Sequence, residues 1–271
     1  MSAAAWGAGD FGGGLTSRRA PVFGVVLISQ IVGMAMALTI AVLGRETFPE
    51  PADLAWSVAA GIAGGTGIVS LYRALAIGRM AVVAPVTAVL SASIPVVVGF
   101  VSDAVPPPIV VVGMGLAIVA VLLVSRVPDE AGGRSAGLPL ALLAGTGFGL
   151  FGVCISRLTD GHVFGPLVLV RATEAVLIAT LILATRSSWR PPRGLVLAIC
   201  LVGVLDMAGN GGYILSAQAG SLAVAAVLSS LYPVTTVILA AVFLHERITR
   251  VHAVGIGLAA IAVTLIAGGS K

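Results

Sequence analysis

The chain has 271 residues, 58% of them hydrophobic and only 10% charged, where a soluble domain carries about a quarter charged residues. That balance excludes an ordinary water-soluble domain, and a net charge of +4 spread through short connections argues for membrane orientation signals over a nucleic-acid-binding face. Cys154 and Cys200 sit in separate apolar runs without metal-ligand spacing, so they read as small buried hydrophobes and give redox chemistry no support.

Apolar runs of the roughly 17 to 25 residues that cross a ~30 Å hydrocarbon core recur along the chain. Read against Gly, Pro and charge breaks, they predict an all-α membrane protein of ten transmembrane helices, at about 2–17, 21–43, 54–77, 80–101, 107–125, 138–158, 164–185, 194–217, 221–243 and 250–268. The first run has no basic flank before it and no small-residue cleavage site after it, so it reads as a retained span and not as a signal peptide. This helix, MSAAAWGAGDFGGGLTS, is short, glycine-rich and acidic. It is either a short helix shielded by neighbours or the product of a chain that starts late. Asp10 within it reads equally as a cation or proton site and as an interfacial acid. The WGAGDFGGG run lacks the strand-turn-helix context of a phosphate loop.

Helix 3 carries Thr66, Ser70 and Arg73 at i, i+4 and i+7, with Tyr72 beside Arg73. Arg73 stands near the helix end, where an arginine snorkels to the interface as readily as it contacts an anion. Thr87 and Ser91 precede Pro95 in helix 4, and Ser229, Ser230 and Tyr232 precede Pro233 in helix 9. Such prolines free backbone carbonyls and permit bending, whether for gating or as passive kinks.

Near the middle of the chain the polar run RVPDEAGGRS, 126–135, suggests two halves, with repeats over 1–126 and 137–271 joined by a linker at 127–136. Sliding the chain by 142 residues aligns 78–124 with 220–266 without a gap and makes 12 of the 47 positions identical, Gly113 with Gly255 and Gly115 with Gly257 among them. An odd number of helices per half sends the second half through the membrane in the opposite sense. The repeats are therefore expected to be inverted, an arrangement that opens a shared site alternately to either side. Connections after the odd-numbered helices hold ten arginines, while the opposite side holds Arg45, Arg157 and Lys271, so the odd-numbered loops are expected in the cytoplasm.

A charge at the bilayer centre costs about 2.5 to 3.5 kcal/mol on insertion scales and calls for a partner, a wet cavity or a function. Helix 7 places Arg171 and Glu174 three residues apart, on one face, where they can neutralise each other. A structural ion pair and a transport role are both open for them. Helix 8 places Asp206, Asn210 and Tyr213 at i, i+4 and i+7, a polar stripe that reads as a cavity lining or as interhelical hydrogen bonding worth roughly 0.6 kcal/mol per contact. His162, His245 and His252 show no HExxH spacing, and no Ser/His/Asp arrangement occurs; the chain reads as a non-enzyme without cofactor or metal.

The WGAGDF opening, LYRALAIGRMAVVAPVTAV, SLAVAAVLSSLYPVTTVILAAVFLHERIT and the closing VGIGLAAIAVTLIAGG together resemble the drug/metabolite transporter superfamily in its EamA-domain branch, as two repeats. The resemblance implies ten helices around a central pocket lined mainly by helices 1, 3, 4, 6, 8 and 9. It thereby nominates Asp10, Ser70, Arg73, Asp206, Asn210, Tyr213 and Tyr232 for substrate binding, and leaves Arg171 and Glu174 nearer the periphery as a structural ion pair. It is stronger in the second half, because SDAVPPP stands where the family has an element like HERIT. The expected activity is secondary transport of a small polar or amphipathic metabolite by alternating access, with proton coupling through Asp206 or Asp10. Export of lipophilic cations and a non-transporting scaffold are the alternatives. The implied partners are a small-molecule substrate, the lipid bilayer of a bacterial inner membrane and protons, in a monomer or homodimer.

Overall fold

The computed structural model describes residues 2–46, 49–102, 107–125, 137–159, 163–219, 232–246 and 250–269. Among them are ten helices and no strand: α1 (Ser2–Ser17), α2 (Val22–Leu43), α3 (Pro51–Ile77), α4 (Met80–Ser102), α5 (Pro108–Ser125), α6 (Leu138–Ile155), α7 (Phe164–Thr185), α8 (Arg193–Ala219), α9 (Tyr232–Phe243) and α10 (Arg250–Gly269). Helix 3 begins three residues earlier than the hydropathy pattern predicts, because Pro51 opens it and proline's fixed φ suits a first turn whose N–H has no acceptor. The 221–231 part of the predicted ninth helix lies outside the described residues.

Five of these helices, α2, α3, α6, α7 and α8 over Arg193–Gly212, are long and apolar enough to cross a membrane. Their outward faces carry exposed Ile31, Leu38, Leu143, Leu183 and Leu197, while Gln30, Ser70, Arg171 and Glu174 are buried. Apolar side chains on the outward faces, with the polar ones taken into an otherwise apolar core, suit a solvent as apolar as leucine. The chain is a membrane protein built from multiple apolar helices.

Helices of the first half find their main neighbours in the second. The pairing of α3 with α6 and α7 matches that of α8 with α1 and α2; α4 lies on α6 as α9 lies on α1, and α2 meets α7 while α5 meets α10. Exchanging α1–α5 for α6–α10 thus returns these same contacts. Glycine sets the closest approach: a Cβ added at Gly147 of α6 would stand 2.9 Å from the Gly67 Cα and 2.7 Å from the Ala63 carbonyl oxygen of α3. In α1, Gly9 abuts Leu205 and Asp206 of α8, and Gly13 abuts the Tyr72 ring of α3. Each glycine costs an isolated helix about 1 kcal/mol, so this glycine-rich segment holds its helical form through the neighbours that its bare faces admit.

Charged side chains from distant segments close the helix ends. Glu46, after α2, accepts hydrogen bonds from the Phe164 and Gly165 N–H groups, both at 2.8 Å, at the start of α7. Glu246, after α9, accepts from Met80 (3.2 Å) and Ala81 (3.1 Å) at the start of α4. Each carboxylate satisfies two orphan donors at the positive end of a helix dipole. Asp53, in the first turn of α3, accepts from the Thr159 N–H at 3.0 Å and its hydroxyl at 3.1 Å, tying down the connection after α6.

Candidate functional site: a shared guanidinium

The buried charges converge where α1, α2, α3, α7 and α8 meet. From α7, Arg171 donates through Nη1 to Gln30 Oε1 of α2 and, at 2.9 Å, to Glu174 Oε2. Its Nη2 donates to Asp206 Oδ2 of α8, while Nε has no hydrogen-bond partner. Arg171 is 6% exposed and Glu174 2%, so both charges have left water, whereas the Asp206 side chain keeps 22% of its surface. Small residues make room for them: Gly33 of α2 faces the Arg171 side chain, and Gly64 of α3 faces the Glu174 carboxylate. A guanidinium is suited to this role because its planar fork serves several acceptors at once and stays charged.

Asp10 is partly buried on α1, one residue after the Gly9 that packs on Asp206, and its carboxylate lies within the electrostatic reach of Asp206. No cation pairs with it among the described residues. Tyr72, 1% exposed, stands within reach of Asp10, Asp206, Arg171 and Glu174 alike. Tyr232 of α9 meets Trp6 of α1 edge to face, ring centroids 6.4 Å apart, and its hydroxyl pairs with Ser91 of α4. Thr236, one turn further on and fully buried, donates to the Gly7 carbonyl at 3.1 Å. The cluster thus sets two carboxylates, Glu174 and Asp206, on a single guanidinium, with Asp10 beside Asp206 as a third. With all three ionised it carries excess negative charge inside an apolar protein.

Asp10, Asp206, Arg171 and Glu174 are drawn together here, and Tyr232 reaches the same face of α1. The Arg171–Glu174 pair does not stand apart from the helix 8 acid, as the resemblance implied; it is the centre of the network. Asn210 is half-buried and spends its amide on the Asp206 carbonyl of its own helix, at 2.8 Å. Ser70 is buried, but Arg73 and Thr66 are exposed, so the predicted stripe on α3 straddles the edge of the interior. The Tyr213 side chain lies outside the described residues. Gln30 escaped the sequence reading; its one signal was to be a lone amide in the apolar run VVLISQIVGMA.

Interleaved apolar helices around a buried charge cluster define a polytopic membrane protein whose interior carries the polar chemistry. Residues 135–268 match the model of the EamA-like transporter family, and this half of the chain belongs to it. The match points to a membrane transporter of the drug/metabolite kind and away from an enzyme. The match falls on the half that holds HERIT, while the half with SDAVPPP lies outside it. One solved crystal structure is similar over 97% of this chain and 94% of its own, with a TM-score of 0.63 at 18% identity, which carries the fold alone. No curated protein matches the chain.

Proposed function

We propose that the protein is a secondary transporter of a small polar or amphipathic metabolite, working by alternating access and coupled to protons through Asp10. The observation that carries this reading is one guanidinium committed to two of the three buried carboxylates. Asp206 and Glu174 are held by Arg171, so Asp10 is the acid left to take a proton or a cationic group. The ionisable groups within its electrostatic reach among the described residues are Asp206, Tyr72 and Tyr232, none of which offers it positive charge. The exchange symmetry of the helix contacts supports two inverted five-helix halves, each able to adopt the shape the other leaves. The arginine-rich connections support a multi-pass orientation with those loops on the cytoplasmic side of a bacterial inner membrane.

Ser70, Arg73, Asn210, Tyr213 and Tyr232 are proposed with Asp10 and Asp206 as the residues a substrate meets, Arg73 at the interface. Export of lipophilic cations is the second reading, favoured by Trp6 and Tyr232 beside an acid without a counter-ion. Proteoliposomes under an imposed pH gradient, given amino acids, sugars, nucleosides and quaternary ammonium dyes in turn, test both. Accumulation of a metabolite supports the first reading and accumulation of the dyes alone the second. A protein that moves none of these classes is not the transporter described here.

A further inference from the structure

At the end of the molecule where α1, α3 and α9 finish and α4 begins, one ion pair joins the two halves. Arg18 Nη2 stands 3.5 Å from Glu246 Oε1 and also donates to the Leu75 and Gly78 carbonyl oxygens, each at 3.3 Å. The cation therefore sits on the negative end of α3 while Glu246, from the other half, caps the positive end of α4. Behind the pair, the Phe11 and Phe243 rings meet at 5.8 Å between α1 and α9, and Gly14 packs directly on Leu75 and Met80. No route between the halves opens at this end without parting these contacts.

At the opposite end the halves are joined by Glu46 on the Phe164 and Gly165 N–H groups and by Asp53 on Thr159. Arg157, which follows α6 closely as Arg18 follows α1, is exposed and joins no ion pair among the described residues.

We infer that Arg18 and Glu246 form a lock that holds the arginine-rich end closed at rest, so that opening there requires their separation. The inference rests on the alternating-access reading above. An equilibrium between two closures is biased by whatever contact exists in only one of them, and charge-assisted hydrogen bonds at helix ends are among the stronger contacts available.

Ser17 is a suitable reporter, being buried with a hydroxyl that has no hydrogen-bond partner. In a Cys154→Ser, Cys200→Ser background, Ser17→Cys is labelled with a membrane-impermeant maleimide in lipid nanodiscs, where both faces meet the reagent. Ser2→Cys, buried at the far end of α1, serves as the second reporter. Glu246→Gln and Arg18→Ala are expected to speed labelling at position 17 about tenfold, by shifting the population toward the state open at this end, and Arg18→Lys to keep it slow. Arg18→Ala leaves the hydrogen bonds from α4 to Glu246 in place, so it decides the matter if Glu246→Gln fails to fold. Faster labelling at 17 with slower labelling at 2 supports both the lock and alternating access. Faster labelling at 17 with no change at 2 supports the lock and rejects alternating access. An unchanged rate at 17 in Arg18→Ala overturns the lock.

Discussion

Arg171→Ala is expected to destabilise the protein by about 3–5 kcal/mol, the range for breaking a buried ion pair on one side only. The loss follows from what stays behind: Glu174 is 2% exposed and, like Asp206 and Gln30, takes its bond from this guanidinium. Removing the cation leaves two carboxylates and an amide oxygen unpartnered in the interior, with little water to replace it. The triple variant Arg171→Met, Glu174→Gln, Asp206→Asn removes the charges together and is expected to recover most of the stability, since a buried ion pair contributes little net once both sides are gone. Thermal unfolding of the purified proteins in detergent distinguishes the two. If the single variant melts with the native protein, Arg171 is not the tie between α2, α7 and α8.

Gly147→Ala is expected to destabilise by about 1–3 kcal/mol, the usual consequence of forcing an extra methyl into a filled site. Its new Cβ would meet the Gly67 Cα and backbone N at 2.9 Å and the Ala63 oxygen at 2.7 Å, and backbone cannot rotate aside as a side chain can. The α3–α6 contact, which joins the two halves, would have to spread. Gly115 of α5 is the control: a Cβ there meets nothing within 4 Å, so Gly115→Ala should be neutral or slightly stabilising through helix propensity alone. Equal melting of the two variants would mean that the helices do not cross on these glycines.

Much of the fold is legible in the sequence because lipid leaves helices of fixed length as the economical solution. Apolar runs of spanning length therefore convert directly into α2, α3, α6, α7 and α8. The i, i+3 spacing likewise gives the Arg171–Glu174 pair, which needs only the geometry of one helix. What escapes is tertiary. Asp206 lies 35 residues beyond Arg171, and Gln30 lies 141 residues before it, so no local spacing brings them together. The caps formed by Glu46 and Glu246 span 118 and 166 residues, and no local spacing announces either cap. On α3 the limit is angular: Ser70 and Arg73 are separated by about 60° around a helix of 3.6 residues per turn, enough to bury one and expose the other.

Arg171 explains how Glu174 and Asp206 are accommodated in an apolar interior; among the described residues it leaves Asp10 as the acid of this cluster with no cation paired to it, and hence as the proposed point of coupling. The most direct test is solute accumulation in proteoliposomes driven by a pH gradient, with Asp10→Asn compared with the native protein at matched folded content. The predicted result is loss of gradient-driven accumulation, with downhill exchange of the same solute retained. Accumulation that still follows the gradient in Asp10→Asn would contradict the account.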